Sequence, residues 1–389
     1  MRFFIVITLF WGLATAATAD TMLVEKKRFE LGTFTTFSGK TIKDVAVGWE
    51  SYGQLNADKS NVILITHYFT GNSHAAGKYS PEDTQAGYWD ALIGPGKAID
   101  TNHYFVLSVD SLANLSVHDP NVITTGPASI DPDTGKPYGL SFPVVTIRDF
   151  VNVQKALLDA LGIHKLHAVM GPSMGSFQAM EWAVAYPDMV ERMVSVIGAV
   201  ALDHWSVALL EHWATPIKLD ANWQQGNYYQ NQPPVDGLTS SLMLITQNAL
   251  HPTFFDKVIE GPPNQAQDAL LDITANMSVV SWLEARGRAR AATMDANHLL
   301  YLVRACQLFI AGMGDNWQQG LDKVQAKTLF LPASGDQLLF PQLAQMGHQY
   351  LREKGHNSTY AEFDAGAGHL DGVVHINQVA GQIRSFISE

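Results

Sequence analysis

Two spacings of apolar residues alternate along the chain. Residues 29–52 alternate apolar and polar positions, with a turn signal at Ser38-Gly39-Lys40, and predict an antiparallel hairpin at a sheet edge. Short uninterrupted apolar runs follow at Val62–Thr66, Tyr104–Val109, Leu166–Met170, Met193–Ile197, Thr328–Pro332 and Thr359–Phe363. Such runs suit strands buried on both faces of a parallel sheet. Helical spacing lies between several of them. It is clearest over Asp149–Leu161, where Phe150, Val153, Leu157, Leu158 and Leu161 share a face and Gly162 ends the run. Strands alternating with helices predict an α/β fold with a mostly parallel central sheet and right-handed crossovers.

The alternation stops between residues 201 and 321. That stretch has several helical patterns, no strand signal, and five of the nine tryptophans: Trp205, Trp213, Trp223, Trp282 and Trp317. The strands on its two sides are needed for one sheet. It therefore reads as a helical cap inserted over a site, within a core of residues 20–200 and 322–389, rather than as a second domain.

The strongest chemical signal is Gly171-Pro172-Ser173-Met174-Gly175. Five residues with three fixed are a weak match alone. Here an apolar strand run precedes them and a helical run, Ser176–Tyr186, follows. Strand, sharp turn and helix are the setting that lifts a serine hydroxyl into the open. The Met174 amide then falls at a helix N-terminus, where it can hold an anion. A serine needs a base, and the base needs an orienting acid. In this fold they follow in the order serine, acid, histidine. Asp336 stands after the late strand run Thr328–Pro332, and His369 after the last one, Thr359–Phe363. The expected triad is thus Ser173, Asp336 and His369. Asp364 is the rival acid, but it lies after the last strand. His103, His164 and His298 read as structural or surface residues, and His375 falls on what reads as the final helix. The loop His67–Gly71 after the early strand should supply the second oxyanion donor, with the Phe69 amide as candidate beside Met174.

Composition narrows the class. A formal charge of −12 argues against nucleic acid or an anionic membrane as partner. No metal-ligand spacing and no dinucleotide fingerprint occurs, so neither metal nor cofactor is expected. The single cysteine, Cys306, lies in an apolar helical run, cannot form an internal disulfide and reads as an inert buried thiol. At the start, Met1-Arg2, the apolar run Phe3–Leu13 and Ala17-Thr18-Ala19 form the pattern of a cleaved signal peptide over residues 1–19. This predicts an exported protein, periplasmic or secreted, without a stable membrane anchor.

At this point the chain resembles the homoserine O-acetyltransferase family of α/β hydrolases over nearly its whole mature length. The resemblance rests on residues 52–56 (YGQLN), 89–101 (WDALIGPGKAIDT), 126–132 (GPASIDP), 135–139 (GKPYG), 142–149 (FPVVTIRD) and 178–184 (QAMEWAV). It implies the α/β-hydrolase fold, an acyl-serine formed and discharged in two steps, and a helical cap through which homodimers form. Two departures stand out. Family members that acetylate homoserine carry a cap arginine for the substrate carboxylate, and residues 237–244 here contain none; Leu242 and Met243 occupy the place. They also carry an aspartate directly after the histidine for the substrate amine. Here Leu370 stands there, and Asp371 comes one place later. Tyr68, Leu242, Met243 and Asp371 are thus the expected pocket residues, in an apolar, aromatic-rich pocket suited to a small or uncharged ester. An exported enzyme would also lack acetyl-CoA. The expectation is an ester hydrolase acting on a small molecule, with an O-acyltransferase as the alternative. A non-catalytic binding protein on the same scaffold is the third reading.

Overall fold

The computed structural model describes residues 22–261 and 268–389. The expected leader, residues 1–19, lies outside them. Eight strands form one sheet: β1 Lys27–Thr35, β2 Thr41–Tyr52, β3 Val62–Ile65, β4 Phe105–Val109, β5 Ala168–Pro172, β6 Arg192–Val196, β7 Lys327–Leu331 and β8 Ser358–Tyr360. Their order is β1-β2-β4-β3-β5-β6-β7-β8. The hairpin β1–β2 is antiparallel and joins β4 antiparallel; every other pairing is parallel. This is the expected α/β architecture.

Side chains of consecutive strand residues point to opposite faces, and both faces are buried. Ile63, Ile65, Met170, Val194 and Leu329 pack on one side. Val62, Leu64, Val169, Met193 and Phe330 pack on the other. Helices α1 Ile147–Ala160 and α2 Met174–Ala185 cover the second face. The true start of α1 is set by a capping box. Thr146 accepts from the Asp149 amide, and the Asp149 carboxylate accepts from the Thr146 amide at 2.7 Å. The Asp149 carboxylate also accepts from the Phe37 amide at 2.6 Å, which ties the helix to the hairpin.

Between β6 and β7 lie α3 His204–Leu219, α4 Val235–Ala249, α5 Pro252–Val258, α6 Ser278–Ala291, α7 Ala296–Gln307 and α8 Trp317–Leu321. Buried polar groups join this helical stretch to the core. His298 on α7 bonds the Asn114 carbonyl through Nδ1 at 2.7 Å and accepts from the Ala128 amide at Nε2 at 3.1 Å. Asp295 joins the core through its amide, which donates to the Leu115 carbonyl at 3.1 Å, and within the stretch its carboxylate accepts from the Tyr228 and Tyr229 hydroxyls at 2.7 and 3.1 Å. The chain ends with α9 Pro341–Glu353, α10 Asp371–Val374 and α11 Ala380–Ser388. Ile383 and Ile387 of α11 cover the first sheet face. His375 ends α10 and is not on the final helix, because the 3-10 turn Ile376–Val379 separates it from α11. Among the described residues no helix is long and apolar enough to cross a membrane.

Two strand ends differ from the sequence expectation. The strand expected at Leu166–Met170 runs Ala168–Pro172, up to the turn at Ser173, while Leu166 makes an isolated bridge to Val190. The strand expected at Thr359–Phe363 ends at Tyr360; Phe363 returns to pair with Ala333 in a single bridge.

Candidate active site

Ser173 stands between β5 and α2 with φ 57° and ψ −121°. A non-glycine residue at positive φ is strained. The sheet enforces it: the Ser173 amide donates to the Val196 carbonyl at 3.0 Å. Two glycines make the turn feasible. A Cβ on Gly171 would lie 2.2 Å from the Thr66 carbonyl oxygen, and one on Gly175 would lie 2.1 Å from the same atom. The strand-to-helix turn is thus packed directly against the end of β3. The Thr66 hydroxyl closes the contact by donating to the Gly175 carbonyl at 2.7 Å.

The structure brings the three expected side chains into line. The Ser173 hydroxyl lies 2.8 Å from His369 Nε2, and His369 Nδ1 lies 2.6 Å from Asp336 Oδ2. The other Asp336 oxygen accepts from the Leu338 and Leu339 amides at 2.8 and 2.9 Å. With Oδ1 occupied, Oδ2 is left for His369, which sets the tautomer with the proton on Nδ1. All three side chains are buried, Ser173 being 9 % exposed. The rival Asp364 is exposed and caps its own turn through the Gly366 amide at 2.8 Å.

Phe69 and Met174 line the cavity beside Ser173. The Phe69 amide donates to no backbone acceptor among the described residues. Met174 is the first residue of α2, so its amide has no partner within the helix. The loop that carries Phe69 is held by His67, a residue that the sequence reading did not single out. His67 Nε2 accepts from the Ser111 amide at 3.0 Å, so Nδ1 carries the proton and donates to the Tyr68 carbonyl at 2.8 Å. Burial holds this imidazole below its usual pKa range. Asn114 fixes the far end of the loop by donating to the Gly71 carbonyl at 3.0 Å.

The expected pocket residues fare differently. Tyr68 lines the cavity. Leu242 and Met243 do not. On α4 the cavity sees Ile245, Thr246 and Ala249. Leu242 lies one turn back on the same stripe and is wholly buried, whereas Met243 is rotated into a separate cleft with Phe255 and Val280. Asp371 is also not in the pocket. Its oxygens accept from the Ala365 and Ala367 amides at 3.0 Å each and pair with His375 Nδ1 at 2.8 Å. It therefore braces the loop that presents His369 and has no group to spare for a substrate amine.

The cavity holds about 490 Å³, and its lining is mainly apolar, including Phe177, Leu210, Trp213, Trp282 and Leu338. The expectation of an uncharged pocket fails at one point. Arg286 and Arg290 of α6 line it as well. With Trp282 and Ala289 they form a stripe at helical spacing, so the sequence signal for a cap cation lies in α6 and not in residues 237–244. Cys306 also lines the cavity; burial pushes its thiol pKa upward, which keeps it protonated. Among the described residues no group of three or more metal-ligating side chains occurs.

Comparison with known proteins agrees with this geometry. A family model described as alpha/beta hydrolase fold matches residues 62–375. A homoserine O-acetyltransferase of Methanococcoides burtonii is 37% identical over 362 residues, covering 92% of this chain and 72% of the relative. The crystal structure of an esterase, E22, superposes with a TM-score of 0.92 at 60% identity, covering 94% of this chain and 100% of that one. A homoserine O-acetyltransferase from Bacillus anthracis superposes with a TM-score of 0.91 at 36% identity, covering 95% and 98%. An enzyme fold, a serine at the strained turn and whole-length similarity to both kinds of relative lead to one statement: the chain belongs to the homoserine O-acetyltransferase-like family of α/β-hydrolase enzymes.

Proposed function

We propose that the protein is an ester hydrolase that works through an acyl-serine. The observation that carries this reading is the unbroken line Asp336–His369–Ser173 opening on the cavity. His369 takes the Ser173 proton as Oγ attacks the ester carbonyl. The Phe69 and Met174 amides receive the negative charge on the carbonyl oxygen. His369 then gives its proton to the leaving alcohol. A water deprotonated by His369 attacks the acyl-serine, the C–Oγ bond breaks as His369 returns that proton to Oγ, and the acid leaves. Asp336 steadies the imidazolium at each stage without taking its proton.

Two observations and one expectation favour water as acceptor. The solved structure with 60% identity is an esterase. Leu370 stands where acetyltransferases of the family resemblance carry an aspartate, and Asp371 is committed to the backbone. A leader over residues 1–19 would place the enzyme where acetyl-CoA is absent and water is abundant. The O-acyltransferase reading keeps one support, the names of the relatives at 36–37% identity.

The test is a panel of simple esters and acetyl-CoA with and without homoserine. The hydrolase reading expects acid release independent of homoserine, and a loss on the order of 10³-fold or more in Ser173→Ala. Consumption of acetyl-CoA that requires homoserine would sink it.

A further inference from the structure

Arg290 is the feature of the cavity that ester hydrolysis leaves unused. Its side chain is half-buried in the wall of the pocket that contains Ser173 and His369. Holding a guanidinium there is costly unless an anion or several acceptors meet it. Yet among the described residues it makes a single hydrogen bond to protein, from Nη1 to the Thr246 hydroxyl at 3.1 Å. Thr246 spends its own proton on the Leu242 carbonyl at 2.7 Å, so it acts as a fixed acceptor that aims the guanidinium. A guanidinium has five N–H donors, which leaves most of them open. The ionisable groups that act on Arg290 are Tyr68 and Arg286, and no carboxylate is among them. Arg286 stacks its guanidinium on the Trp282 ring at 4.1 Å and adds a second positive charge to the same wall. Among the described residues no Asp or Glu lines the cavity. The pocket beside the nucleophile is thus apolar with positive charge alone.

We propose that Arg290, aimed by Thr246 and reinforced by Arg286, is a subsite for a carboxylate carried by the substrate, so that the enzyme takes anionic half-esters in preference to neutral or zwitterionic ones. The inference rests on the ester-hydrolase reading above. The guanidinium can meet a carboxylate with two parallel hydrogen bonds. Among the described residues no carboxylate lines the cavity to pair with an ammonium group, and Asp371 faces the backbone of residues 365–367. A single negative charge with no positive one is therefore the matching ligand.

The experiment compares each carboxylate-bearing ester with its neutral methyl ester. Monomethyl glutarate against dimethyl glutarate places the charge on the acyl side. Acetoxyacetate against methyl acetoxyacetate places it on the alcohol side. The quantity read is the ratio of kcat/KM within each pair, for the wild type, Arg290→Met, Arg290→Lys and Arg286→Met. In at least one pair the wild type should favour the anion. That ratio should drop by about tenfold or more in Arg290→Met, with partial recovery in Arg290→Lys. Preference for the neutral ester in both pairs, or ratios unmoved by Arg290→Met, overturns the proposal. If the wild type cleaves none of the four esters, the hydrolase reading is what has failed. Calorimetric titration of Ser173→Ala with monomethyl glutarate then decides the subsite alone. Binding lost in Ser173→Ala with Arg290→Met supports it, and equal or absent binding in both proteins overturns it.

Discussion

The side chains of the proposed triad are readable one at a time, because each stands at a position that its element defines. Ser173 follows the strand β5, Asp336 follows the late strand β7, and His369 stands in the loop after the last strand, β8. Their supports were harder to see. Asp371 is one residue from the position where the resemblance suggested an amine ligand, yet its oxygens hold the Ala365 and Ala367 amides. Asp371→Ala should therefore lower kcat with little change in KM and should cost roughly 1–3 kcal/mol of stability for the unpaired amides. A selective rise in KM for amine-bearing esters, with kcat intact, would restore the substrate role. His67 and His298 are both buried with their pKa values held down by burial. Unfolding frees each to take a proton near its ordinary pKa of about 6.5. The stability they provide is complete above that pH and is lost as pH falls through it toward the lower folded value. Thermal melts of His298→Gln should accordingly lose less stability than the wild type between about pH 7 and about pH 5. Parallel curves for the two proteins would contradict this.

Elements were legible in kind, and less so at their ends. An apolar run shows that a strand exists, but its limits depend on partners distant in sequence. Thus β5 extends to Pro172 because the Ser173 turn fixes its end, and β8 stops at Tyr360 because the chain leaves the ladder before Phe363 rejoins Ala333. The capping box Thr146–Asp149 was a local signal, and it would have given the start of α1 correctly. The family resemblance places the cap arginine on the segment that forms α4, whereas the cavity receives its cations from α6, which packs against α4. Pairing of helices within the insertion has no short-range sequence signature, so the face of α4 that meets the cavity could not be read in advance. The turn between β5 and α2 makes a firm prediction. Gly175→Ala places a methyl group against the Thr66 carbonyl, where backbone must move. The cost should be about 1–3 kcal/mol or more, with activity falling further because Ser173 shifts with the turn. Denaturant unfolding and ester turnover measure the two effects separately, and an unchanged midpoint would refute the packing argument.

At the scale of the molecule, a two-faced sheet supplies a rigid floor, and the helices between β6 and β7 supply the walls of the cavity. The floor carries Ser173, Asp336 and His369, and the walls carry Trp213, Trp282 and Arg290. Whole-length similarity extends to both an esterase and homoserine O-acetyltransferases; on the proposed reading the floor forms the acyl-serine, and the walls select what enters and what receives the acyl group. The central claim is that Ser173 takes the acyl group and water removes it. Rapid-quench mass measurement of the protein during turnover of an aryl acetate in ¹⁸O-labelled water tests it most directly. The account requires an acetyl group on the peptide containing Ser173, absent from Ser173→Ala, and acetate that carries the label at the same rate with or without homoserine. Undiminished turnover by Ser173→Ala, or an acetyl-serine that persists until homoserine is added, would contradict it.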